Sequence, residues 1–544
     1  MSTLKWVRQV NDSVLFSKIF ARRTVICFFI TVLLFMTCIL RVAVISSGNY
    51  KEVQTKQSSY RITVSNLRGT IFDCNMTPLT NATYHTVAAV SPTPRGVVGA
   101  SRILNDEEKE QTLKRLSDGK PIICNARKKI NSTDIAFATV YEHCTCETPA
   151  SHIIGYTDSS GHGVTGLEYA YDSILYSDKT VDAVFSVDGK GNVLGGVSPC
   201  FENDTAVLAG GLKSTIDVNI QNIAEKVSDG IDCGAVVVAE ANSGKIRAMV
   251  SRPNYDLSAV SDYLTADNSP LLNRAITAYS VGSVFKPCVA AAALDLGKGG
   301  FCFNCTGSTY IIDRTFNCHK RDGHGFVDLQ HALAFSCNTF FYNFAINTGA
   351  EAVYKKASAL NFGTPLRIAD GIKTADGNLT KLDRLSNDAT LANLSIGQGD
   401  LLLSPVSMLT LYCSIASNGT YYIPSIVEGI VKDGKLKEYD KGKPTRVMSE
   451  DTANTLKNYL SSVITEGTGT LAQPSRCTAS GKTATAQTGR YDENGIEITN
   501  SWFCGFFPAE NPKYVAIVMC EGKPKVATAL LFSQLADGIA ELYF

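Results

Sequence analysis

Three short strings, spread over two hundred residues, constrain this chain more than anything else in it: Ser283-Val284-Phe285-Lys286, Ser336-Cys337-Asn338 and Lys482-Thr483-Ala484. A serine hydroxyl is a poor nucleophile until a neighbouring base takes its proton. In Ser283-x-x-Lys286 the i, i+3 spacing on a helix puts Oγ and Nζ on one face. A lysine serves as that base once burial or a nearby cation lowers its pKa, and Lys482 is the candidate cation. Ser336 offers a hydroxyl to relay a proton toward a leaving amine, and Asn338 an amide that can hold both the lysine and a substrate backbone. Lys482, Thr483 and Thr485 sit in a strand-like run, Ser480 to Gln487. There a lysine and hydroxyls can take a terminal carboxylate while the strand edge pairs with a peptide. The backbone N–H groups of Ser283 and Thr485 are the natural oxyanion pair. Each string alone is commonplace: Ser117-Asp118-Gly119-Lys120 has the first one's pattern and reads as a surface turn. Together and in this order they imply acyl transfer through a serine ester.

Near the N-terminus, Thr24 to Leu40 is uncharged and strongly apolar, with Arg41 after it and Val42 to Ile45 extending it. It has no polar face, which argues against a buried core helix, and Val42-Ala43-Val44-Ile45 makes a poor cleavage site for a signal peptide. A bilayer core takes roughly 20 helical residues, so the segment reads as a retained single-pass anchor. Lys5, Arg8, Lys18, Arg22 and Arg23 precede it, which predicts a cytoplasmic N-terminus and an extracytoplasmic remainder. Lysine plus arginine balances aspartate plus glutamate at 51 each, so nothing points to nucleic acid.

Tyr50 to Tyr60 reads as a polar juxtamembrane stem. Arg68 to Asp73 looks like a turn feeding a strand, Asn105 to Ser117 carries helical charge patterning, and Leu212 to Asp229 passes from strand to helix. Gly234 to Glu240 and Gly244 to Val250 flank Ala241-Asn242-Ser243 as a hairpin with β-rich arms. After Ser283 comes a helix with Pro287 in its first turn and Gly297 as its stop. Strands are predicted at Thr483 to Gln487, Ser501 to Phe507 and Tyr514 to Cys520.

From the anchor to residue 520 the chain resembles class B penicillin-binding proteins, membrane-anchored monofunctional peptidoglycan D,D-transpeptidases. The resemblance rests on the three strings and on Arg68-Gly69-Thr70-Ile71-Phe72-Asp73, Gly163 to Glu168, and Thr215-Ile216-Asp217 with Gln221. Asn273-Arg274-Ala275, Ile396-Gly397-Gln398-Gly399, Gly467-Thr468-Gly469 and Trp502-Phe503 add to it. It implies an α+β fold: a cytoplasmic tail (1–23), a transmembrane anchor (24–46), a β-rich pedestal (47–230) and a transpeptidase domain with an antiparallel sheet flanked by helices (231–544). It further implies that Ser283, helped by Lys286, Ser336, Asn338 and Lys482, attacks the penultimate D-alanine of a peptidoglycan stem peptide and passes the acyl group to a neighbouring amine. Thr483 and Thr485 bind the substrate, and β-lactams trap Ser283. With no room for a glycosyltransferase domain before the pedestal, the glycan polymerase is expected to be a separate membrane partner. Ala484 stands where the family usually has glycine, and its methyl is expected to slow β-lactam acylation by crowding the ligand. Cys74 and Met76 replace the usual arginine and glycine of the first pedestal motif, far from the chemistry.

Of 17 cysteines, one group stands out between the first two strings. Cys305, Cys318, His324 and Cys337 could form a closed structural zinc site. Some elongation-type relatives look similar here, with a ligand six residues before the Gly-His-Gly histidine and a cysteine inside S-x-N, which Cys318, His324 and Cys337 match. A Cys318–Cys337 disulfide tethering the S-x-N loop is the rival reading, and free thiols the third. The lysine–serine chemistry itself needs no metal. Two other functions fit the strings: a D,D-carboxypeptidase or serine β-lactamase, and a catalytically weak β-lactam-binding scaffold or sensor. The first are usually smaller and lack such a pedestal. Sensors of the second kind carry several membrane helices, and a decayed scaffold would not keep all five catalytic residues.

Overall fold

The structure, a computed structural model, describes residues 3–47, 58–203, 210–440 and 442–544. The first part of the expected stem, Tyr50 to Gln57, lies outside the described residues. One helix, α1 (Thr3–Ser47), runs through most of the expected tail as well as the anchor. Its stretch Ser17–Val44 has a mean hydropathy of 2.6 and is long enough to cross a bilayer.

The chain divides into two units, each assembled from separated stretches. The first is Met1–Ser65, Thr86–Val140 and Val181–Asp204; the second is Asn66–His85, Tyr141–Thr180 and Thr205–Phe544. In the first, strand Ile122–Asn125 pairs antiparallel with the end of Thr83–Val90. Helices Pro94–Ile103 and Asp106–Ser117 close a small core around Val90, Ala100, Ile103 and Leu116. Ser117 ends the second of these helices, and Asp118-Gly119-Lys120 is the exposed turn after it.

The second unit is built on a five-stranded antiparallel sheet. Its strands are β1 (Gly234–Glu240), β2 (Ile246–Arg252), β3 (Ser480–Tyr491), β4 (Glu497–Phe507) and β5 (Tyr514–Glu521), in the order β2-β1-β5-β4-β3. The first two form the predicted hairpin, and all three later strands run beyond their predicted bounds. Successive side chains point to opposite faces, and here both faces are covered. Val237, Trp502 and Ile517 pack on one side, against the helices that carry the strings. Val236, Phe503 and Val518 pack on the other, against α2 (Val218–Ser228) and the C-terminal helix Thr528–Tyr543. A sheet buried on both faces reads as continuous apolar runs, hence GAVVVAE.

The remaining motifs are joints of this unit. Arg68 and Glu168, 5% and 0% exposed, form a buried ion pair across a hundred residues, and His143 Nε2 meets the other oxygen of Glu168 at 2.8 Å. Arg68 also donates to the Gly161 carbonyl (2.8 Å) and pairs with Asp172 (2.9 Å). Gly163 is required there, because a Cβ would lie 2.0 Å from the Glu168 carbonyl oxygen. Asp217 caps α2, and the Gln221 amide plugs both backbone groups of Met249 in β2.

Candidate active site

The nucleophile segment departs from the predicted helix in one respect. Ser283 lies in a 3₁₀ turn, Gly282–Phe285, and the α-helix α3 (Lys286–Asp295) begins only at the lysine. In a 3₁₀ turn residues i and i+3 eclipse one another, so the spacing still serves. From Lys286 through Ala293 α3 is buried all round, at the centre of the unit's core. Three partners fix the turn. Gly282 N donates to the Gly397 carbonyl (2.9 Å), the Tyr412 hydroxyl to Val284 O (3.0 Å), and Trp502 Nε1 to Ser280 O (3.0 Å). A Cβ on Gly397 would lie 2.0 Å from Gly282 O. The Ile396 to Gly399 and Trp502 motifs thus hold the serine's backbone.

Lys286 is fully buried, and its ammonium group is spent on the second string. Nζ donates to Ser336 O (2.8 Å), Ser336 Oγ (3.1 Å) and Asn338 Oδ1 (2.8 Å), over the ring of Phe341. Burial pushes its pKa down to about 7. Ser336 is held at a φ of +55°, a left-handed conformation that a serine adopts at a cost of about 1 kcal/mol or more. The turn carries this because Cys337 N donates to Ala332 O (2.9 Å), and the next helix, α4 (Asn338–Thr348), starts at once with Cys337 as its cap. Lys482 is also fully buried, and its pKa is lowered first by burial and then by the charge of Lys286. For Lys286, burial is the dominant cause, so the second cation is not what sets it.

Strand β3 is the sheet's edge. Lys482, Ala484 and Ala486 point inward along it, while Thr485 is exposed. The Ala484 methyl sits toward Gly282, where a Cβ would meet it at 3.4 Å. The methyl therefore sits beside the nucleophile's backbone, and Ala484 also lines the cleft. A cleft of about 490 Å³ lies between β3 and the S-x-N turn, lined by Ser283, Ser336, Asn338, Thr483, Ala484 and Thr485. Lys286 and Lys482 lie buried beside it. Of the lining residues that the sequence did not single out as site residues, two stand beside the strings. Thr468 bonds its hydroxyl to that of Thr483 (2.7 Å) while its N–H donates to Ala334 O (3.0 Å). His319 lines the cleft beside the S-x-N turn. The Gly467-Thr468-Gly469 string was the one signal for Thr468; His319 stood out only as a member of the cysteine and histidine group between the first two strings, not as a residue of the cleft.

The four candidate metal ligands also meet. Cys305, Cys318, His324 and Cys337 bring one donor atom each to within 4.8 Å of all the others. His324 Nδ1 is 3.6 Å from both Cys305 Sγ and Cys318 Sγ. A sulfur and a nitrogen on one tetrahedral zinc lie about 3.6 Å apart, so this donor set fits the ion. The three sulfurs are buried. Cys318 and Cys337 share a hydrogen bond that holds the Cys318 thiol far below its ordinary range and pushes Cys337 up. Every cysteine among the described residues is a thiol, none of them in a disulfide.

Residues 234–536, more than half the chain, match the family described as the penicillin binding protein transpeptidase domain. This chain belongs to that family. Relatives of this penicillin-binding protein include stage V sporulation protein D of Bacillus subtilis, 29% identical over 521 residues that cover 87% of this chain and 78% of the relative. Peptidoglycan D,D-transpeptidase PbpA of Mycolicibacterium smegmatis is 28% identical over 403 residues, 67% of this chain and 75% of the relative. Penicillin-binding protein 3 of Mycobacterium tuberculosis, solved with aztreonam, shares the fold of this penicillin-binding protein with a TM-score of 0.64 at 21% identity, covering 88% and 97% of the two chains.

Proposed function

We propose that this penicillin-binding protein is a peptidoglycan D,D-transpeptidase that works through an ester on Ser283. The observation that carries the reading is Lys286: buried, held by three hydrogen bonds to the S-x-N turn, and near pH 7 in its pKa. As a neutral amine it takes the Ser283 proton while Oγ attacks the penultimate D-alanine carbonyl. The N–H groups of Ser283 and Thr485 receive the oxyanion. Ser336 passes the proton to the leaving D-alanine amine, and Asn338 orients the donor peptide. Lys482, Thr483 and Thr485 hold the terminal carboxylate, with Thr468 fixing the Thr483 hydroxyl. An acceptor amine then attacks the ester, its proton returns by the same route, and Ser283 is restored. A β-lactam enters as the donor and stays, because no acceptor displaces it.

The basic residues before α1 favour a cytoplasmic N-terminus, with residues 47–230 as pedestal and 231–544 as transpeptidase outside the membrane. A separate membrane polymerase supplies the glycan strands. Cys305, Cys318, His324 and Cys337 would hold a structural zinc, whose chemistry is to tie the S-x-N turn to the 305–324 loop.

The test is intact mass of the full-length protein in detergent after exposure to penicillin, beside Ser283→Ala. One adduct on wild type alone is expected. No adduct on folded wild type would move the reading to a non-catalytic scaffold.

A further inference from the structure

We propose that His319 selects acyl-donor peptides that carry a free carboxylate on the side chain preceding the reacting D-alanine. This deepens the transpeptidase reading and rests on it. The two walls of the cleft differ in chemistry. Strand β3 offers hydroxyls, and with Lys482 it accounts for the donor's terminal carboxylate. The facing wall offers N–H donors. Asn338 spends its Oδ1 on Lys286, which leaves its amide nitrogen for a ligand. His319 turns Nδ1 to Cys318 Sγ (3.9 Å) and lies tilted against His324, with ring centroids 5.2 Å apart and planes at 57°, which leaves Nε2 as its ring nitrogen for the cleft it lines.

The setting of this histidine is cationic. It opens the exposed run His319-Lys320-Arg321, against which Asp322 is the one nearby acid in sequence. Across the cleft, the segment holding the lining residue Pro524 carries exposed Lys523 and Lys525, the latter paired with Asp232. The whole chain is charge-balanced, so this is a local excess at the mouth of the site, and such an excess concentrates anionic ligands. With the terminal carboxylate already placed on β3, a second anion on the donor is what the facing wall can still read. The Cys318 neighbour anchors the histidine there.

The experiment uses full-length protein in detergent and two synthetic D-alanyl thioester donors, identical except for a side-chain carboxylate or carboxamide at the preceding residue. Acylation rate constants are read by intact mass. Wild type should favour the carboxylate about threefold to fivefold, as expected of one exposed contact to an anion, and high salt should shrink the ratio. His319→Ala should bring the ratio to about one, while His319→Gln, which keeps an N–H donor, should retain part of it. Misfolding or metal loss slows both donors together and leaves the ratio unmoved, so the ratio isolates the contact. A wild type without preference, or a preference that persists in His319→Ala, overturns the assignment even if penicillin still acylates Ser283. Failure of both thioesters and penicillin on wild type overturns the transpeptidase reading, and this assignment with it.

Discussion

Lys286 is where residue-level chemistry makes its sharpest demand. In the proposed mechanism its neutral form is the base, and burial has brought the pKa down to about 7. The neutral fraction therefore rises with pH and is lost as pH falls through about 7. Penicillin acylation should drop close to tenfold per pH unit below that point and level off above it. A flat profile from pH 5 to 9 in stopped-flow acylation would remove Lys286 as the base. This lysine, with Ser283, Ser336 and Asn338, could be singled out because the strings occur together and in order; each spacing alone is commonplace, as Ser117-Asp118-Gly119-Lys120 shows. Ala484 shows where spacing stops. The sequence reports an extra methyl, but only the register of β3 says that it sits beside Gly282 as well as lining the cleft. Thr468 and His319 were less legible still. A hydroxyl and an imidazole acquire a role only when folding lays another string beside them.

Among elements, the hairpin and the strands from Ser501 and Tyr514 were legible as apolar runs, since a sheet covered on both faces leaves few polar positions to confuse them; the edge strand β3, polar on its outer face, was legible only as a strand-like run. The 3₁₀ turn at Ser283 was not, because an i, i+3 pattern is shared by both helix types. The loop from Cys305 to His324 has almost no regular structure beyond short hairpins of three or four residues. Its order depends on what joins its thiols. Cys337 is both a member of that cluster and the cap of α4, so a metal held by the cluster would be mechanically one object with the S-x-N turn. Protein purified without chelator should carry one zinc, and stripping it, or Cys305→Ser, should lower the melting temperature and slow penicillin acylation together. Metal analysis that finds no zinc, with thiol titration short by one pair, would favour the Cys318–Cys337 disulfide instead.

At the scale of the molecule, the second unit is stitched from stretches far apart in the chain, and the Arg68–Glu168 pair is one of its stitches. Removing one partner of a buried pair strands the other charge at a cost of about 3–5 kcal/mol. Arg68→Ala should therefore cost several degrees in a thermal melt while leaving the pH profile of acylation in shape. A melt unchanged within a degree would show the pair to be ornamental. Sequence could flag Arg68 and Glu168 as parts of two motifs but not as partners, because nothing in either string points a hundred residues away. The sheet order has a last consequence. A transpeptidase that admits a peptide alongside β3 must leave that strand's outer backbone groups unpaired, which is the same invitation that lets misassembled chains join edge to edge. The defence lies in the strand itself: Thr483, Thr485, Gln487 and Arg490 make its outer face polar, so a short peptide is welcome where a long apolar strand is not.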